Sequence, residues 1–241
     1  MKMLINKIVL DLIEEIKKAD IWEVMPPAEK ERLAEIIKFV GGQDVAESRK
    51  KNSVQPAIYQ FKVTLKGIRP PIWRRFLIDN RVTFEDLHII IQIVMGWQDS
   101  HLYSFDTKDT LVEILDDSFA FFSSARERND ARETQIGELI TEEKQKCLYT
   151  YDFGDDWEHE LVLEKILPID EKITVPTCLK GKRACPPEDC GGVYMYNEIQ
   201  AALKGEGELD EEMIEWLGEF DTEEFDLEFI NSILGNFAVN R

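Results

Sequence analysis

The chain has 241 residues, 44% of them apolar and 10% aromatic, a globular composition with enough bulk to bury a core. Acids outnumber bases 48 to 29, and the net charge of −19 repels a phosphate backbone, so nucleic acid is a disfavoured partner. No apolar run approaches the roughly 18 residues of a membrane span, and the opening MKMLINKIVLDLIEEIKK has acids inside its apolar stretch, so a cytoplasmic protein without a secretion signal is expected.

Ile5, Ile8, Val9, Leu12, Ile13 and Ile16 fall on one helical face. A second helix opens at Pro26-Pro27, carries Leu33, Ile36, Ile37 and Val40 on one stripe and stops at Gly41-Gly42. Residues 1–42 are therefore expected to form a helical hairpin, and the polar, patternless 43–56 a linker. The main domain spans 57–236 and starts with a strand, where Tyr59, Phe61, Val63 and Leu65 alternate with polar residues. Gly67 and Pro70-Pro71 turn the chain into a second strand, Ile72 to Ile78. Thr83 and Asp86 form a capping pair for a helix through Leu87, Ile90, Ile91 and Val94 that ends at Gly96. HLYSFDT, 101–107, reads as another strand. The region 109–134 gives no clear period: an apolar patch at Phe119–Phe122 precedes a charged, exposed run RERNDARE.

Cys147 to Phe153 alternates again, and FGDDW turns into a strand from Trp157 to Ile166 with Trp157, His159, Leu161 and Leu163 on one face. A loop with Cys178, Cys185 and Cys190 follows, then a helix over about 196–203. Two acidic helices, near 210–217 and 226–234, close the chain. Residues 205–240 hold twelve carboxylates and no Lys or Arg. Hairpin-like strands with end-clustered helices predict an α+β fold: a mostly antiparallel sheet with flanking helices, plus the N-terminal hairpin.

YQFKVTLKGIRPPIWRRFLI, MGWQDSHLYSF, YTYDFGDDWEHELVLEKIL and CPPEDCGG, with the ending EWLGEFDTEEFDLEFIN, resemble in order the Ri-plasmid open-reading-frame-3-like family over roughly 57–234. The resemblance implies a single α+β domain of a kind often carried as a mobile-element passenger, and it implies no particular activity. Where the family has Gly-Gly-x-x-Gly-Tyr, this chain has Met195 in place of the third glycine.

Three cysteines in thirteen positions, among glycines that permit tight turns, supply three of the four ligands that zinc favours. His159, on the strand upstream, is the expected fourth, with Cys147 and His101 as alternatives. Three sulfurs and one nitrogen leave no open coordination position, so such a zinc is structural. A redox pair, or reduced cysteines packed as small residues, fit the same spacing. A second constellation brings His101, Asp152, Asp155 and His159 together if their strands are neighbours, a set suited to a divalent metal or to acid–base work. The alternative is that Asp152, Asp155 and Asp156 cap the turn at Gly154. Arg74-Arg75 beside Trp73 reads as a pair for an anionic ligand or as a solvated edge, His88 as packing on its helix, and Glu188-Asp189 as turn residues. No nucleophile elbow, phosphate loop or dinucleotide fingerprint occurs. The first reading is thus a binding or interaction module that meets a protein partner through its N-terminal or acidic C-terminal helices. A metal-dependent enzyme using His101, Asp155 and His159 is the second, and a mobile-element nucleic-acid protein the third.

Overall fold

A computed structural model of the protein describes residues 54–115 and 127–239. The expected N-terminal hairpin and the apolar patch at 119–122 lie outside the described residues. Eight strands form one sheet: β1 (Ile58–Leu65), β2 (Trp73–Asp79), β3 (Tyr103–Asp106), β4 (Thr110–Glu113), β5 (Glu127–Asp130), β6 (Lys146–Tyr151), β7 (Trp157–Leu167) and β8 (Thr177–Lys182). The helices are α1 (Phe84–Met95), a single turn α2 (Ile136–Leu139), α3 (Gly192–Leu203), α4 (Glu211–Leu217) and α5 (Leu227–Val239). The sheet order is β5-β4-β3-β6-β7-β1-β2-β8, and every neighbouring pair is antiparallel except β4 with β5. The protein is therefore α+β, with a mostly antiparallel sheet.

Alternation gives the sheet two unlike faces. One presents Tyr59, Phe61, Val63, Phe76, Phe105, Tyr149, Leu161 and Leu163 to a core completed by Leu87, Ile91 and Val94 of α1, Tyr196 and Ile199 of α3, and Leu234 of α5. The other carries cross-strand ion pairs such as Lys66–Glu158, Lys146–Glu160 and Arg75–Glu164, which keep it wettable and add little stability. α1 begins where the sequence predicts: Thr83 Oγ1 accepts from Asp86 N, and Asp86 Oδ2 accepts from Thr83 N. No helix among the described residues is long and apolar enough to cross a membrane.

Two expectations change. The first cysteine lies in a strand, not a loop: β8 pairs with β2, with Cys178 opposite Phe76. A Cβ at Gly181 would stand 2.6 Å from both Arg74 Cδ and the Phe225 ring, so the glycine that looked like a turn residue is the gap that lets them pack. The charged run also contributes a strand. β5 pairs parallel with β4 at the sheet edge, where Arg128 bonds to Glu113, and edge position is what lets so polar a sequence extend.

Candidate functional site

The C-terminal end of α1, the chain leading into β3, the β6–β7 turn and the segment 183–191 meet beside the buried aromatic face. His88 is enclosed, with 1% of its surface exposed, and stacks on Tyr103 at 3.6 Å between ring centroids. Its Nε2 lies 2.7 Å from Asp99 Oδ1, and its Nδ1 2.7 Å from the Tyr149 hydroxyl. A carboxylate only accepts, so Nε2 carries the proton and Tyr149 donates to Nδ1 while accepting from Gln92 Nε2. Burial lowers the His88 pKa and raises that of Tyr149, which keeps both neutral. His88 is thus a buried anchor tying α1 to β6 and to the 97–100 turn.

The neighbouring segment is pinned from several sides. Trp97 Nε1 donates to Pro186 O. Tyr151 OH accepts from Ser100 N and donates to Glu188, and Glu188 also accepts from Gln98 N. Asp155 Oδ2 accepts from Gly191 N at 3.0 Å. Gly192, at φ +73, lets the chain pass close to Asp155: a Cβ there would lie 2.7 Å from Asp155 O.

These anchors carry Asp189 to His101. His101 Nε2 stands 3.0 Å from Asp189 Oδ1 and 3.6 Å from Asp152 Oδ2, yet it makes a hydrogen bond with neither. Among the described residues, the group of His, Cys, Asp and Glu side chains whose ligand atoms all fall within 4.8 Å of one another is His101, Asp152 and Asp189. Asp152 is buried and Asp189 exposed, and both hold positive φ, 54° and 57°, in the left-handed region that Asp tolerates better than most residues. Asp152 Oδ1 accepts from Gly154 N, so the turn-capping role and the place beside His101 belong to the same residue.

The sequence brings forward His101 and Asp152 for this group and misses Asp189, which reads as an ordinary acid after proline. Asp155 is nearby in the chain but is committed to Gly191. Arg74 is elsewhere: its guanidinium is buried at the β2–β8 edge, donating to Val94 O, Trp73 O, Lys182 O and Arg183 O, and lies over the Phe225 ring. Four of its five N–H groups donate to backbone carbonyls, which holds it inside the fold and away from His101.

The tetrahedral set expected from Cys178, Cys185, Cys190 and His159 is not assembled, and no cysteine belongs to the metal-competent group. Cys178 is fixed by the β8 ladder, with Sγ 3.7 Å from Arg75 O. His159 is fully buried, with Trp97 edge-on to its ring and Nδ1 directed at Tyr149 O. All three sulfurs are buried. Burial pushes the Cys178 thiol up to about 11 and the Cys190 thiol up to about 12, and raises Cys185 well above the ordinary range despite Arg74. All three are thus buried cysteines whose surroundings favour the thiol over the thiolate.

The pattern of the plasmid pRiA4b ORF-3-like proteins matches residues 57–229. The chain belongs to this family. A relative from Sinorhizobium fredii, the uncharacterized protein y4hQ, is 32% identical over 167 residues, covering 68% of this chain and 83% of its own. The crystal structure of a protein of unknown function, MM3350, from Methanosarcina mazei is 38% identical, with a TM-score of 0.63, and the match covers 72% of this chain and 97% of that one. The pRiA4b ORF-3-like domain thus accounts for the sheet, α1 and the segment that carries Asp189, and neither relative's name assigns it an activity.

Proposed function

We propose that this pRiA4b ORF-3-like protein is a binding module whose ligand is a first-row divalent cation, held by His101, Asp152 and Asp189. One observation carries the reading: an imidazole nitrogen lies 3.0 and 3.6 Å from two carboxylate oxygens without hydrogen-bonding to either. Around a cation bonded at about 2.0–2.2 Å, neighbouring ligand atoms stand roughly 3.0–3.5 Å apart, so these spacings suit ligands that share an ion. One nitrogen and two hard oxygens favour zinc, manganese or iron(II) over copper(I). Three protein ligands leave room for water or a ligand group, as in catalytic rather than structural sites. The net charge of −19 supports a cation over a phosphate as the attracted species. Zinc, expected on the sulfurs, fits this group instead.

Titration of chelator-treated, dialysed protein with Zn2+ and with Mn2+ by calorimetry tests the reading. The expected result is one site per chain, weakened at least tenfold by Asp189→Asn and by His101→Gln and unchanged by Cys178→Ser. Retention in both site variants with loss in Cys178→Ser would return the cation to the sulfurs and overturn the proposal, as would no binding at millimolar cation.

A further inference from the structure

The acidic C-terminal helices present a surface that the cation site does not explain. α4 contains no buried residue, although four of its seven residues are apolar. Asp210 caps it by accepting from Met213 N, and a helix this short needs packing to persist. Met213 and Leu217, one turn apart, supply that packing against the core. At 100° per residue, Ile214 and Trp216 fall on opposite flanks of this seam, and Glu211, Glu212 and Glu215 fall on the outer face. The flanks stay open: Ile214 is 56% and Trp216 48% exposed. The acids stay largely uncompensated. Of the twelve carboxylates in 205–240, the ion pair found among the described residues is Glu223 with Arg183.

We propose that α4 is the docking face for a basic amphipathic helix of a partner protein. Charge complementarity selects this occupant. Lys and Arg of the partner meet Glu211, Glu212 and Glu215, while its apolar stripe covers Trp216 or Ile214, the aromatic being the natural anchor. A partner with no basic residues gains nothing from the glutamates, and a basic chain with no apolar stripe leaves the two flanks wet. Like charge disfavours a second copy of this acidic chain.

The test is calorimetric titration of the full chain with an 18-residue Leu/Lys peptide patterned as an amphipathic helix, and with a scrambled peptide of the same composition. The amphipathic peptide is expected to bind at least tenfold more tightly, and added salt to weaken it. The double variant Ile214→Ser/Trp216→Ser, with net charge unchanged, is expected to lose at least tenfold for the amphipathic peptide alone. The triple variant Glu211→Gln/Glu212→Gln/Glu215→Gln, which keeps every apolar contact, loses at least tenfold for both peptides. Equal binding of the two peptides, or unchanged binding of the amphipathic peptide by either variant, overturns the proposal. So does a dimer in sedimentation that the double variant abolishes, since the face then belongs to a second copy.

Discussion

Single residues fix the site through backbone demands that their side chains do not advertise. Asp189 reaches His101 because the 183–191 segment folds back on the β6–β7 turn, and Gly192 sets how close the two can come. Ala at 192 faces two costs: a left-handed φ of +73, worth about 1–2 kcal/mol, and a Cβ 2.7 Å from a backbone oxygen that cannot swing aside. Gly205 has the same conformational demand, φ +77, with nothing within 4 Å of its Cβ. Gly192→Ala is therefore expected to lower stability by at least about 2 kcal/mol in urea denaturation and Gly205→Ala by about 1 kcal/mol. Equal losses would mean that the contact with Asp155 carries no weight. The site variants Asp189→Asn and His101→Gln keep the backbone untouched, so their effect on cation binding separates from this structural one.

At the scale of elements, the edge strand β8 depends on one buried cation. Arg74 collects four carbonyls, from the end of α1, from its own strand and from the end of β8, under the ring of Phe225. Met at 74 fits the same apolar surroundings but orphans those carbonyls, and a loss of at least about 3 kcal/mol is expected. In native-state hydrogen exchange the loss should appear first at 177–183, with β6 and β7 still protected; uniform acceleration across the sheet would show that Arg74 does not act as a local clamp. The same elements show why legibility varies. β1, β6 and β7 alternate in the sequence, and Thr83 and Gly96 mark the ends of α1, so local chemistry alone outlines them. β8 has no alternation, because Gly181 must be small beneath Arg74 and the strand is specified by a partner a hundred positions upstream. β5 reads as a solvated charge run because an edge tolerates one. His101 and Asp152 stand out by their aromatic and acidic company, whereas Asp189 gains its meaning from a fold-back that no local pattern encodes. For the cysteines, closeness in sequence suggests convergence, whereas the fold pins Cys178 in a strand, a constraint that spacing alone does not show.

For the whole molecule, the core traps histidine in the wrong state for acid. His159 is completely buried, its Nε2 has no hydrogen-bond partner, and burial lowers its pKa to about 3; burial lowers that of His88 as well. His159 stays neutral when folded, and both histidines titrate near 6.5 when unfolded. Above that value neither state takes up the proton, and this source of instability is absent. As pH falls below about 6.5, the unfolded chain gains a proton that His159 refuses in the folded chain, and stability drops by up to about 1.4 kcal/mol per pH unit from His159, with His88 acting in the same direction. The ion-paired carboxylates Asp79, Asp130 and Glu164 have lowered pKa values and lose their contribution in a separate, more acidic window, as pH passes below the ordinary carboxylate range. Protonation of the many free acids there also relieves the repulsion behind the net charge of −19, an opposing effect. The interval from about pH 6.5 to 5 therefore isolates the histidines. Urea unfolding at steps across it should give a slope for the parent that exceeds that of His159→Leu by nearly one proton toward the lower end, since the variant fills the same apolar space without a titratable ring. A flat profile in the parent, or an unchanged slope in the variant, would place the proton uptake elsewhere and show that His159 can be charged where it stands.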